Sequence, residues 1–120
     1  MLPKLHSQAY QEFLSELLKL QNQASAVNLD FVSLDDSFQI LQKIFQGKII
    51  SLTDDQLEPT ISSKWKSIQT EIYRAFRLLQ TDMMFLRSSR QAATMKKRLV
   101  SLDARLETLI GYCRLLLSNF

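Results

Sequence analysis

Few side chains in this chain carry the chemistry of catalysis or metal binding. His6 is the only histidine and Cys113 the only cysteine. No Glu-x-x-His pair supplies metal ligands on a helix, and no glycine-rich loop can hold a phosphate. Cys113 falls in a repeating apolar pattern that predicts burial, whereas His6 is expected to be solvated near the amino terminus. We therefore expect no catalytic residue, no metal site, no cofactor and no enzymatic activity.

A cluster of basic residues is the first feature that indicates binding. No acidic residue occurs from position 83 to position 102. This stretch predicts a docking site for an acidic protein surface or a phosphate, and the alternative is a solvated end of a helical bundle. Nucleic acid is less favoured, because no recognition motif and no interleaved exposed aromatic residues occur. The predicted partner-binding residues are Arg87, Arg90, Lys96, Lys97 and Arg98.

The last predicted helix has a second, minor face of small and apolar residues. Its members are Val100, Ala104, Gly111 and Leu115. A glycine inside a helix costs about 1 kcal/mol relative to alanine, and small residues allow another backbone to approach closely. We expect this face to pack against a helix of the same chain. The alternative is a second subunit, which would make the protein a homodimer.

Apolar periodicity predicts the helices that position these residues. The last helix is expected from Ala92 to Leu117, because its apolar residues recur in steps of four and three. Similar patterns predict a first helix from Lys4 to Val27 and a third from about 59–61 to Arg87. The stripe of the last helix comprises Met95, Leu99, Leu102, Leu106, Leu109, Cys113 and Leu116.

A shorter second helix is predicted between Ser33, as the N-cap, and Gly47, as a left-handed stop. Residues 48–59 are expected to be irregular, with one helical turn after Thr53 and with Ile49 and Ile50 tucked into the core.

The third and fourth helices are predicted to be separate, because the apolar stripe shifts by one residue between them. Ser88, with Gln91 three residues later, fits a capping box, so we place a tight turn at 88–90. The alternative is one continuous helix of about 85 Å, which a second chain would have to cover.

The expected architecture is a single all-α domain over residues 1–120, an antiparallel four-helix bundle with a short second helix. Apolar residues make up 46% of the chain, with only two glycines and two prolines, which disfavours disorder and an all-β fold. No segment is apolar enough for a secretory leader or a membrane helix, and a lone cysteine forms no internal disulfide. We therefore expect a cytoplasmic protein that does not insert into a membrane.

Several stretches resemble the cyanobacterial heterocyst-frequency-control protein family, PatD. They are residues 81–94 (TDMMFLRSSRQAAT), 98–102 (RLVSL) and 109–113 (LIGYC), together with 2–5 (LPKL) and 10–13 (YQEF). The resemblance implies a small cytoplasmic regulator that associates with the tubulin-like division protein FtsZ, promotes its assembly and affects the frequency of cell differentiation. It implies no established site residues. Because FtsZ is acidic as a family, the basic cluster would suit it.

Two other classes of function fit the residues. A small nucleic-acid-binding regulator could use the basic second half, since residues 60–120 carry eleven basic and four acidic residues, against four and eight in residues 1–59. A purely structural homo-oligomer is the third class. Salt-dependent DNA binding and mass in solution distinguish these from an FtsZ regulator.

Overall fold

The computed structural model describes residues 2–118 and contains four long helices. They are α1 (Lys4–Ala24), α2 (Phe31–Ile44), α3 (Pro59–Ser88) and α4 (Ala92–Ser118), and a π-helical turn (Phe45–Ile49) extends α2. No strand occurs among the described residues. The predicted all-α class is confirmed, and so is the separation of the third and fourth helices.

The helices run alternately up and down. Tyr10 of α1 bonds to Gln69 of α3, and Phe13 contacts Phe76, so these two helices run parallel. Asp82 of α3 pairs with Arg105 of α4 across an antiparallel contact. The close backbone neighbours are α1 with α2, α1 with α4, and α3 with α4. The molecule is a rod of 50 × 21 × 20 Å with a core along its length.

The predicted stripe of α4 forms one wall of this core. From Leu102 onward its members are almost completely buried, while Met95 and Leu99 are half-buried near the start of the helix. The opposite wall is aromatic, with the ring of Phe76 against those of Phe13, Phe38 and Phe45. Burial of these side chains is the main source of stability, at roughly 25 cal/mol per Å² of apolar surface.

The end of α1 and the start of α2 differ from the sequence expectation. Helix α1 ends at Ala24 rather than Val27, where the Ser25 hydroxyl donates to the carbonyl of Gln21 (2.9 Å) and occupies a terminal acceptor. Helix α2 is capped by Asp30, not Ser33, because the Asp30 carboxylate accepts from the backbone N–H groups of Val32 and Ser33. These bonds favour the charged form, and the hydrogen bond from the Ser33 side chain contributes most to lowering the pKa of Asp30.

The predicted stop at Gly47 is also wrong. No glycine has a positive φ, and Gly47 lies inside the π-helical turn, where the Ile50 N–H donates to the Phe45 carbonyl (2.9 Å). A five-residue step shifts the phase of the helix, so that Phe45 and Ile49 both reach the core. Ile50 then points outward, against the prediction that it is buried.

The rest of the 48–59 connection is irregular, as predicted. The predicted helical turn after Thr53 is a single hydrogen-bonded turn, closed by the Leu57 N–H donating to the Asp54 carbonyl (3.0 Å), and it does not continue into a helix.

A buried polar network, not predicted from the sequence, joins α1, α3 and the π-helical turn. The Tyr10 hydroxyl donates to Gln69 Oε1 (2.6 Å) and accepts from Trp65 Nε1 (2.8 Å). Gln69 Nε2 in turn donates to the carbonyl of Ile49 (2.9 Å). Burial raises the pKa of Tyr10, so its hydroxyl keeps its proton as a donor at neutral pH. The network fixes the π-helical turn against α3.

Candidate protein-binding site

The turn between α3 and α4 places the basic cluster at one end of the rod. Helix α3 ends at Ser88, and the hydroxyls of Ser88 and Ser89 both donate to the carbonyl of Phe85 (3.1 and 2.9 Å). Ser88 therefore closes α3, and the prediction that it caps α4 is wrong. Helix α4 begins after Gln91, whose carbonyl accepts from the Met95 N–H (2.9 Å). The hydroxyls satisfy terminal carbonyls that would otherwise lack donors.

Arg87 is engaged within the chain. Its guanidinium forms an ion pair with Asp35 of α2 and lies 5.9 Å from the ring centroid of Phe38. The acid that neutralises Arg87 is 52 positions away in the sequence, so the acid-free stretch around Arg87 does not reveal it. Arg87 joins α2 to α3, and less of its charge is available to a partner.

Arg98 is partly engaged as well. Its guanidinium carbon lies 4.5 Å from the ring centroid of Phe85, so a cation–π contact joins α3 and α4 just beyond the turn. This contact holds the guanidinium of Arg98 at the half-buried edge of the cluster.

The remaining three basic residues form the accessible part of the cluster. Arg90, Lys96 and Lys97 are exposed, and none of them makes an ion pair within residues 2–118. Arg90 lies in the turn, and the two lysines lie on the second turn of α4. We call these three residues the basic end. Its charges can attract an acidic surface without first breaking an internal pair.

The minor face of α4 does not pack within the chain. Val100 is 67% and Leu115 42% exposed, and Ala104 and Gly111 are also exposed. A Cβ built on Gly111 meets no atom within 4 Å. The expected close contact with a helix of the same chain is therefore wrong, because α1 and α3 cover the other sides of α4. The alternative role of this face in a homodimer stays a prediction.

Replacing Gly111 with alanine is expected to stabilise the monomer by about 0.5–1 kcal/mol. The methyl group has open space, and alanine loses less backbone entropy than glycine in a helix. Urea denaturation followed by circular dichroism measures the change. Thr108→Ala, an exposed substitution one turn earlier, controls for general surface effects. A loss of stability on Gly111→Ala would reveal a contact that the isolated chain lacks, such as a second subunit.

His6 and Cys113, whose side-chain types are common in catalytic sites, are both buried and far from the basic end. His6 was expected to be solvated, but it is 5% exposed, within hydrogen-bond distance of the Thr53 carbonyl through Nε2 (2.8 Å) and edge-on to the ring of Trp65. Burial raises the pKa of Cys113 to about 12, so its thiol keeps its proton at neutral pH and is a poor nucleophile.

Within residues 2–118, no group of three histidine, cysteine, aspartate or glutamate side chains could hold a metal ion. None of the helices in this part of the chain is long and apolar enough to cross a membrane.

Comparison of the chain with protein-family models, curated proteins and solved structures finds no match.

Proposed function

We propose that this protein is a non-enzymatic cytoplasmic regulator that binds FtsZ through the basic end and promotes FtsZ assembly. The supporting observation is the set of three exposed cations, Arg90, Lys96 and Lys97, free of internal ion pairs among the described residues. The resemblance to the PatD family supports the choice of FtsZ and the further role in setting heterocyst frequency. An acidic partner gains long-range attraction from such a cluster.

Charge reversal at the basic end should weaken FtsZ binding by about tenfold or more at low salt. The variant is Arg90→Glu, Lys96→Glu and Lys97→Glu combined, which changes the local charge by six units and turns attraction into repulsion. Arg87 is left unchanged, because a glutamate there would face Asp35 and disturb the fold. Co-sedimentation with FtsZ in the presence of GTP, at low and moderate salt, measures binding, and light scattering follows assembly.

A matched control reverses three lysines that lie outside the basic end. Lys4, Lys43 and Lys64 are exposed, form no ion pair within residues 2–118, and lie near the start of α1, the end of α2 and the start of α3. Changing all three to glutamate produces the same change in net charge, so FtsZ binding should remain close to wild type if the site is local. Circular dichroism verifies that both variants fold.

Three results would contradict the proposal. Equal loss of binding in both variants would indicate a response to net charge rather than a site. Full binding by the basic-end variant would place the site elsewhere. Absence of FtsZ binding by the wild type, together with tight salt-dependent DNA binding, would favour the nucleic-acid-binding alternative.

A further inference from the structure

The α2–α3 side of the bundle is built differently from the other three sides. The backbones of the other neighbouring helices pack closely, whereas those of α2 and α3 do not, and phenylalanine rings occupy the space between these two helices. Phe45 stacks on Phe76 at 4.0 Å between ring centroids, and Phe38 stacks on Phe76 at 6.2 Å. The result is a groove between the two helices with an aromatic floor. We call it the α2–α3 groove.

A cavity of about 200 Å³ opens along this groove. Phe45 and Phe76 form its base, and Ile50, Tyr73 and Arg77 are among its walls. Tyr73 stands edge-on to Phe45 and its hydroxyl reaches the carbonyl of Ile50 (3.4 Å), which fixes this wall in place. Tyr73 and Arg77 also border a shallow depression of about 550 Å³ on the outer surface of α3. The two spaces adjoin at these two residues.

Exposed apolar side chains stand at both ends of the groove. Ile50 is 47% exposed beside Tyr73, and Met84 is 60% exposed. Met84 lies eleven residues after Tyr73 and three before Arg87, both of which contact the α2 side, so it shares their face of α3. Eleven residues of helix correspond to about 16 Å. This length suits a docked helix of about three turns with apolar anchors at its ends.

The middle of the groove is positively charged. Arg77 is exposed and makes no ion pair in the described part of the chain. Asp35 of α2 already pairs with Arg87, and Glu71 pairs with Arg74 on the outer surface of α3. A docked segment thus meets an uncompensated guanidinium between two apolar ends. A carboxylate would pair with Arg77 in bidentate fashion.

We propose that the α2–α3 groove binds a short amphipathic helix of FtsZ that carries a carboxylate between two apolar side chains. This inference depends on the proposed function and adds a second element to it. The basic end attracts the acidic partner, and the groove holds one of its segments. The carboxylate pairs with Arg77, while the apolar side chains contact Ile50 and Met84.

The first experiment measures FtsZ binding by two single variants. Arg77→Glu and Ile50→Asp should each weaken binding by about tenfold, a loss typical of a residue central to an interface. Arg77→Lys, which keeps the charge but loses the planar fork, should lose less. Ile40→Asp is the matched control, because Ile40 is 43% exposed on α2 but does not line the groove. Thermal unfolding of each variant verifies that the fold is intact.

The second experiment identifies the bound segment. A photo-reactive phenylalanine analogue is placed at position 50, at position 84 or, as the control, at position 40, and each protein is irradiated with FtsZ. Positions 50 and 84 should yield cross-links to one FtsZ peptide containing an acidic residue between apolar residues. Mass spectrometry identifies the peptide.

The outcomes separate this inference from the proposed function. Wild-type binding that persists in Arg77→Glu and Ile50→Asp, without cross-links at 50 and 84, would overturn the groove inference and leave the basic end in place. Cross-links between two copies of this chain would assign the groove to a homodimer and also overturn it. Absence of FtsZ binding by the wild type would overturn both proposals.

Discussion

Replacing Phe76 with alanine is expected to lower the free energy of unfolding by about 3–5 kcal/mol, the range for truncating a buried phenylalanine. Phe76 is 1% exposed and stacks against Phe45 and Phe38. The rings of Phe38 and Phe45 would remain between α2 and α3 in this variant. The two backbones therefore cannot close over the space that the missing Phe76 ring leaves without losing the remaining aromatic contacts. The substitution should therefore fall in the upper part of that range. Urea denaturation followed by circular dichroism provides the measurement.

Leu78→Ala is the control for Phe76→Ala. Leu78 lies two residues further along α3 and is partly exposed, so its truncation removes much less buried surface and should cost less than about 1 kcal/mol. If Phe76→Ala cost no more than Leu78→Ala, the aromatic floor would not support the bundle. The α2–α3 groove would then lack the rigid base on which its proposed ligand depends.

The helices could be predicted from the sequence because their apolar periodicity is long and regular. The shift of the stripe by one residue after Leu86 was enough to separate α3 from α4, and Pro59 marked the start of α3. The predicted helix ends were wrong where a different nearby residue caps the helix. Asp30 caps α2 more effectively than Ser33 because one carboxylate accepts two backbone N–H groups.

The π-helical turn could not be predicted from residue types. Gly47 is a good helix stop in isolation, but the helix continues through it because Phe45 and Ile49 both gain burial there. Tertiary packing overrode the local preference. Ile50, on whose exposure the proposed groove depends, comes directly after this turn and is 47% exposed.

The basic cluster could be recognised in the sequence. Which of its residues are engaged within the chain, and which stay available to a partner, could not. Periodicity placed all five residues near one turn and said nothing about Asp35, which reaches Arg87 from another helix. The opposite net charges of the two halves of the chain were the one sequence signal that such long-range ion pairs would form. Pairs such as Arg87 with Asp35 and Lys66 with Asp54 join the acidic first half to the basic second half. Within the basic cluster, Arg90, Lys96 and Lys97 stay available to a partner, because Arg87 pairs with Asp35 and Arg98 lies over the ring of Phe85.

The buried network also had a signal in the sequence, a polar residue at a position where the apolar periodicity of α3 predicts an apolar one. Gln69 lies four residues after Trp65 and three before Ile72, which places a polar side chain in the core stripe of α3. Such a residue is tolerated only if its amide is bonded. Its partners, Tyr10 and the Ile49 carbonyl, come from two other elements, so the topology had to be known before they could be named.

Replacing Gln69 with leucine is expected to lower the free energy of unfolding by about 2–4 kcal/mol. The Tyr10 hydroxyl loses its acceptor inside the core, and an unsatisfied buried donor costs about 1–3 kcal/mol. The Ile49 carbonyl loses one of its two donors but keeps the Leu52 N–H (3.2 Å), which adds a smaller cost. Urea denaturation of the full chain measures the sum.

A double-mutant cycle with Tyr10→Phe distinguishes this network from simple packing. Tyr10→Phe removes the hydroxyl that Gln69→Leu leaves unsatisfied, so the double variant should be more stable than the sum of the two single losses predicts, by about 1 kcal/mol or more. Thr70→Ala, an exposed neighbour on α3, serves as the control and should add independently to Gln69→Leu. Strict additivity of Tyr10→Phe and Gln69→Leu would contradict the network. The π-helical turn would then be held by the packing of Phe45 and Ile49 alone.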